Sequence, residues 1–352
     1  MILVIFLVAV FGSVIPAAIY VSILWWLDRY EKEPWWLMAL TFFWGAVPAI
    51  ILAIITQLII TVPMVLIGLG EVDSIAEMKP GDPVPAFLIG LYAVVAPLTE
   101  ETLKAFPLLF IFFVFRREFD GLMDGLLYGA LVGFGFAMTE NFFYIFGTGA
   151  SAGLQAEIGV FLLRTIAFGM MHALWSSMFG VGLGIARYAR SKSLAFIAPC
   201  AGLALAMLMH GTHNLSAVMA STGGTAAVVW LSIMFTSYGV GCLVWIVLVV
   251  VAGRHESKMI REELQEEVET GLITGEHAIA CSRYRSRVAI RWHAFREHGV
   301  GQWHKLGRLY CLAADLAFKK RQLQLQPSET RNIEEINRLR NELQELRTTL
   351  EV

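Results

Sequence analysis

APLTEETLKAF, residues Ala96 to Phe106, decides how this chain is read. It sets two carboxylates, Glu100 and Glu101, and an ammonium, Lys104, inside an apolar run from about Ala86 to Phe115. Roughly 20 apolar residues cross the hydrocarbon core of a bilayer, so the run is long enough to span one. A charge at the centre of a spanning helix costs about 2.5–3.5 kcal/mol on insertion scales. Three such side chains so close together need a partner, a cavity or a task.

The surrounding composition agrees with a membrane setting. Of 352 residues, 57% are hydrophobic and 16% charged, against about 25% charged in soluble domains. The near-zero net charge hides a division. Residues 1–251 carry 10 Lys+Arg and 14 Asp+Glu, while residues 252–352 carry 17 and 15. This implies an apolar membrane domain, 1–251, followed by a charged tail, 252–352. Cys200, Cys242, Cys281 and Cys311 form no CxxC and no zinc-ligand spacing, and read as isolated reduced thiols.

Outward from the central stretch, apolar runs recur. A retained first span covers Met1 to Leu27, since no basic residue precedes it as a signal peptide would require. Trp25, Trp26, Trp35 and Trp36 flank the charged loop Asp28 to Trp36 like an interfacial belt. A second span runs from about Leu37 to Ile60, with Pro48 and Pro63 as kink or end points, and Gly70 to Pro85 reads as a loop. After the third span, a fourth covers about 122–146 and contains Gly129-x-x-x-Gly133, a spacing that lets helices approach closely. A Gly/Ala/Ser loop is expected at about 147–157, then spans at about 158–187, 194–220 and 225–251. Basic residues gather in the loops after spans 1, 3 and 5: Arg29/Lys32, Arg116/Arg117 and Arg187/Arg190/Lys192. The positive-inside rule then puts the N-terminus outside and the tail in the cytoplasm of a cell-membrane protein. The expected fold is all-α: a polytopic transmembrane helical bundle of about seven spans with a helical cytoplasmic C-terminal tail.

The tail divides into an amphipathic segment from Arg254 to Glu269, another from about Glu276 to Glu297, and a third ending near Pro327. Ile336, Leu339, Leu343, Leu346 and Leu350 then repeat at 3-4-3-4, a heptad seam of about two heptads. Such a seam either packs on the tail itself or pairs copies of the chain through residues 333–350. The helices carry mixed charge and no basic nucleic-acid patch.

Several polar residues fall at one depth. Glu100 and Glu101 lie about fourteen residues into their span, His172 about fourteen into the fifth, and His210 about sixteen into the sixth. Lys104 is one turn from Glu100 and Glu101 and can pair with either. Phe168 precedes His172 by four residues, and His210 and Asn214 share a helical face with His213 beside them. Glu140 and Asn141 lie in the fourth span, where Glu140 either pairs with Arg164 or belongs to the site wall. Carboxylates, two histidines and an amide offer a base for water and donors for an oxyanion, the needs of peptide hydrolysis.

At these residues the chain resembles the CAAX protease and bacteriocin-processing superfamily of intramembrane endopeptidases. The matching motifs, in order, are Glu100-Glu101-x-x-Lys104, Phe168-x-x-x-His172 and His210-x-x-x-Asn214. The Lys104 variant of the first motif, GFGFAMTEN ending at Asn141, and the DRYEKEPW loop resemble its PrsW branch, and the likeness covers most of residues 28–220. The tail segment TGLITGEH resembles PrsW relatives more weakly. By that resemblance Glu100 would activate water with Glu101 supporting it. His172 would help hold water or substrate carbonyl, and His210 and Asn214 would stabilise the oxyanion. Lys104, Phe168, Glu140, Asn141 and His213 would be supporting residues. The substrate would be a single-pass membrane protein, by the resemblance an anti-sigma factor. Metal-free glutamate catalysis is the favoured reading; the alternative is zinc held by Glu100, His172 and His210.

Other signatures fit less well. HExxH is absent, and no aspartate pair lies mid-span. Gly149 to Gly153 matches G-x-S-x-G, but without the strand-turn-helix setting that this motif needs. A proton-coupled transporter would use similar intramembrane charges, but the spans show no internal repeat. A non-catalytic scaffold of the same fold is the remaining alternative.

Overall fold

The computed structural model describes residues 1–67, 84–325, 327 and 331–350, and most of the loop expected at 70–85 lies outside them. Seven helices are long and apolar enough to cross a membrane, and no strand occurs among the described residues. We label the helices in chain order: α1 Ile2–Leu27, α2 Trp35–Leu66, α3 Ala86–Val114, α4 Leu122–Ala152, α5 Leu154–Arg187, α6 Lys192–Ala220 and α7 Gly224–Glu263. The chain forms two compact units. The first is Met1–Leu24 with Pro34–Val247; the second is Trp25–Glu33 with Leu248–Val352.

Helix α4 is the hub of the first unit. Every residue from Met123 to Ala137 is buried, as expected of a helix that is apolar all round. Small residues let its neighbours come this close. A Cβ on Gly129 would sit 2.6 Å from the Ser177 Cα, and one on Gly133 would sit 2.4 Å from the His172 carbonyl oxygen. The glycine spacing thus seats the second half of α5 directly on α4. On the other side, a Cβ on Gly45 would meet the Val132 carbonyl at 2.0 Å, which presses α2 against the same helix.

Three spans contain π-helical turns, at Gly45–Ala49, Leu91–Val95 and Leu162–Ala167. The first encloses Pro48, which has no N–H for an α-helical bond. Beyond the third, Phe168 to Met170 leave the helix before it resumes at Met171. Phe168 and His172 therefore do not lie on one continuous helical turn as their spacing suggests.

The expected loop at 147–157 is nearly all helix. α4 runs to Ala152, Gly153 alone reverses the chain with φ 86°, and α5 begins at Leu154. The G-x-S-x-G match falls in the last turn of α4, where the Ser151 hydroxyl donates to the Gly147 carbonyl at 2.8 Å. The seventh span also continues without a break into the first tail segment, since α7 reaches Glu263.

The second unit adds α8 Gln265–Glu269, α9 Gly275–Ser282, α10 Tyr284–Leu325 and α11 Arg331–Thr348. The expected segment 276–297 is thus interrupted at Arg283, and α10 is itself kinked at Gly299 with φ 77°. Ile336, Leu339 and Leu343 are buried in one core with Leu309, Tyr310 and Ala313 of α10. The heptad seam packs on the tail itself, and any pairing of copies through 333–350 would use other faces. Buried Glu267 closes the unit electrostatically, taking Lys320 at 2.8 Å and Arg340 at 2.6 Å. The Arg287 guanidinium donates to the carbonyls of Arg29 (3.0 Å) and Cys281 (3.1 Å), which ties the loop after α1 to the tail.

Two predictions follow from this packing. Gly133→Ala forces α4 and α5 apart at His172; overpacking of this kind costs about 1–3 kcal/mol, readable as a lower melting temperature in detergent. In the second unit, burial pushes the Asp28 carboxyl up from 3.8 to about 6, although it accepts a hydrogen bond from the Glu33 amide at 3.0 Å. The folded carboxyl therefore holds its proton more tightly than the unfolded one. Stability should rise as pH falls from about 6 towards 3.8. Asp28→Asn should flatten that dependence, measured by hydrogen exchange of tail peptides in the full chain.

Candidate active site

The buried charges of α3 meet those of α4, α5 and α6 at one point. Lys104 is 1% exposed, and its Nζ lies 2.8 Å from Glu101 Oε1, 3.6 Å from Glu100 Oε2 and 3.0 Å from His172 Nδ1. The ammonium also sits 3.8 Å over the face of Phe136, a cation–π contact strengthened by desolvation. It thus joins both glutamates of its own helix to a histidine of α5.

Glu101 is the fixed carboxylate. Besides Lys104 it accepts from Ser176 Oγ at 3.0 Å and faces His210 Nδ1 at 3.0 Å. A carboxylate at Nδ1 assigns the His210 proton there, so Nε2 carries the lone pair. Trp175 stacks on that ring, centroids 4.2 Å apart and 15° from parallel, which holds its plane. His172 is assigned the opposite tautomer. Its Nδ1 faces the Lys104 ammonium and can only accept, so Nε2 donates to Glu140 Oε2 at 2.8 Å.

Glu140 makes the expected ion pair with Arg164 and also touches His172. Arg164 Nε also donates to Asn141 Oδ1 at 2.9 Å, and the guanidinium lies 3.9 Å over the Tyr144 ring. Glu140 is therefore joined to the site through His172.

Glu100 differs from its neighbour. Its Oε1 accepts from Gln57 Nε2 at 3.2 Å, but its buried Oε2 accepts no hydrogen bond. That oxygen stands 3.9 Å from His210 Nε2. Glu100 and His210 both line a cavity of about 760 Å³ whose lining includes Gln57, Tyr92, Glu140, Arg164, His213 and Asn214.

The remaining sequence-selected residues lie further out. The Asn214 amide donates to the Tyr92 carbonyl in the π-turn of α3 at 2.9 Å, which spends one of its two N–H groups. His213 contacts the Phe168 ring at 5.1 Å and that of Trp175 at 5.4 Å. Phe168 lies outside the cavity lining and packs on Phe235 and Tyr238, so it braces the break in α5. Sequence reasoning missed Gln57, Ser176 and Trp175. Two signals were available: Gln57 is an amide in an apolar span, and Ser176 lies four residues after His172.

The same donors bear on a metal. Glu100, His172 and His210 each bring a ligand atom within 4.8 Å of the others, and a His₂Glu set suits zinc. Glu100 Oε2 and His210 Nε2 are available to it. His172 fits only by giving up a partner, because Lys104 holds Nδ1 and Glu140 holds Nε2.

Fold and site together define a multi-pass membrane protein with a carboxylate–imidazole centre buried among its spans. Residues 33–252 match the family described as PrsW family intramembrane metalloprotease. The chain belongs to the PrsW family of intramembrane proteases and is a peptidase by that kinship. It is 28% identical over 204 residues to protease PrsW of Geobacillus kaustophilus, covering 58% of this chain and 76% of that protein. Against protease PrsW of Shouchella clausii it is 28% identical over 205 residues, covering 58% and 81%. Against that of Bacillus subtilis it is 25% identical over 209 residues, covering 58% and 79%. No solved structure matches.

The site makes two predictions. Lys104→Met leaves Glu101 buried beside no cation, a loss of about 3–5 kcal/mol, seen as a large drop in melting temperature that Glu101→Gln in the same chain partly restores. Gln57→Leu removes the side-chain amide that donates to Glu100 and should lower peptidase turnover by roughly 10-fold, the equivalent of one hydrogen bond to a charged group, with little change in melting.

Proposed function

We propose that this chain hydrolyses a peptide bond within the membrane, with Glu100 as the base that activates water. The observation that carries this reading is Glu100, which lines the cavity and whose Oε2 accepts no hydrogen bond and stands 3.9 Å from His210 Nε2. Both atoms are acceptors. A water donating one hydrogen to each, after slight widening, would turn an oxygen lone pair to the cavity. Attack on the scissile carbonyl forms the new C–O bond and passes the water proton to Glu100. Collapse of the tetrahedral intermediate breaks the C–N bond, and Glu100 returns that proton to the leaving nitrogen.

The other residues act around that transfer. Glu101 keeps the proton on His210 Nδ1, which leaves Nε2 to accept a hydrogen from the attacking water. The second N–H of Asn214 is an oxyanion donor. His172, held between Lys104 and Glu140, forms the wall against which the carbonyl is placed. A zinc ion bound by Glu100, His172 and His210 would supply Lewis acidity and a more acidic water. The metal-free route is favoured because Lys104 already provides the positive charge at His172.

The substrate would be a single-pass membrane protein, since exposed Ile54, Leu58 and Tyr92 line the cavity and give it an apolar rim. By family resemblance it would be an anti-sigma factor. The loop charges support an N-terminus outside and a cytoplasmic tail, and the three ordered motifs support the wider CAAX protease superfamily.

Cleavage of co-expressed tagged single-pass proteins in membranes tests the reading. Wild type is compared with Glu100→Gln and His172→Ala, with and without a chelator. Both variants should lose at least 100-fold in turnover, the scale of a positioned acid–base group, and wild-type cleavage should survive chelation. Loss on chelation with recovery on added zinc would move the three residues to metal ligands. Full activity in Glu100→Gln would overturn the assignment.

A further inference from the structure

The second unit carries a surface that peptide hydrolysis does not use. On the first half of α10, residues 284–298, Val288, Trp292 and Phe295 are exposed, with Trp292 at 59%. They recur at i, i+4 and i+7 and so form one stripe, and the Trp292 and Phe295 rings stack at 5.4 Å. The side of the helix about 100° round from the stripe is fixed: Arg287 and Ala294 are buried, and Arg291 lies 4.0 Å over the Trp303 ring. The stripe therefore cannot turn inward.

Charge and position say what covers it. Residues 283–298 hold five arginines and one glutamate. Arg285 and Arg296 are exposed beside the stripe and form no ion pair among the described residues. The helix starts where a membrane span ends. Tyr284 meets Trp26, the penultimate residue of α1, edge-on at 6.4 Å, and Arg29 lies 4.0 Å from the Trp26 ring and 5.1 Å from that of Tyr284. Exposed Trp25 and Trp26 mark that end as interfacial. At Gly299 the positive φ ends the segment and redirects the chain. Basic flanks, an aromatic apolar stripe and a start at the interface are the properties of a helix lying in a membrane surface.

We propose that residues 284–298 dock on the surface of an anionic bilayer, with Val288, Trp292 and Phe295 entering the headgroup boundary and Arg285 and Arg296 meeting lipid phosphates. The tail is then held against the membrane by lipid composition as well as by its covalent link to α7.

The test uses the full chain in nanodiscs of phosphatidylcholine with or without phosphatidylglycerol. The Trp292 signal is the fluorescence difference between wild type and Trp292→Phe. Doxyl-labelled lipid should quench that signal when phosphatidylglycerol is present, and much less without it. Each basic residue at an anionic surface is worth about five-fold in binding. Arg285→Glu with Arg296→Glu should therefore shift docking by at least roughly 25-fold and leave Trp292 open to aqueous iodide. Arg285→Gln with Arg296→Gln should give a smaller loss in the same direction and guards against misfolding of the reversed chain. The proposal is overturned if iodide quenches Trp292 equally in both lipids, or if neither arginine pair changes doxyl quenching. It is also overturned if Trp292 is shielded from iodide without doxyl quenching, which would assign the stripe to a protein partner or a second copy.

Discussion

A single buried ammonium holds the membrane unit's charged centre together. Lys104 is closed off from solvent and contacts Glu101, Glu100, His172 and the Phe136 face at once. At an effective dielectric near 20, opposite charges 4 Å apart attract by about 4 kcal/mol. That attraction must offset the desolvation of every charge in the cluster, so the geometry leaves little slack. Residues from α3, α4 and α5 converge on this one atom, and α6 joins through the His210 contact with Glu101.

The convergence is possible because backbones approach closely around it. Gly129 and Gly133 present no side chain to α5, and the His172 peptide occupies the space that a Cβ would fill. Lipid offers no hydrophobic drive between helices, so close van der Waals contact has to supply the association. Packing and electrostatics are thus coupled: the glycine face of α4 delivers His172 to Lys104, and Glu140 on a neighbouring face of α4 takes the other nitrogen of that ring.

The two carboxylates of the glutamate pair diverge in role through their surroundings. Both are buried, yet Glu101 is saturated by three partners while Glu100 keeps one oxygen without a hydrogen bond. Adjacent residues on a helix point about 100° apart. One therefore turns into the protein and becomes a fixed counter-charge. The other lines the cavity and keeps an oxygen that accepts no hydrogen bond. The opposite tautomers of His172 and His210 arise in the same way, from an ammonium beside one Nδ1 and a carboxylate beside the other.

Span number and type were legible in the sequence, because long apolar runs permit little except helices in a bilayer. The Glu100, Glu101, Lys104, His172 and His210 set was legible too, since each is a costly residue in its span and the carboxylates and histidines share one depth. What the sequence left open was decided by partners distant along the chain. Glu140 had two readings, and the structure gives it the Arg164 pair together with a His172 contact, because both residues reach it from α5. Gln57 and Ser176 are unremarkable until folding brings them to Glu100 and Glu101. The break at Phe168 and the continuous helix across 147–152 escaped local reading, as composition marks neither. The heptad seam suited either self-packing or pairing of copies, and only the tertiary arrangement buried it against α10. The sequence determined that charges had to be buried in the membrane and at what depth. The tertiary structure decided which of them are neutralised and which one faces the cavity, because pairing depends on distances that spacing along one helix does not contain.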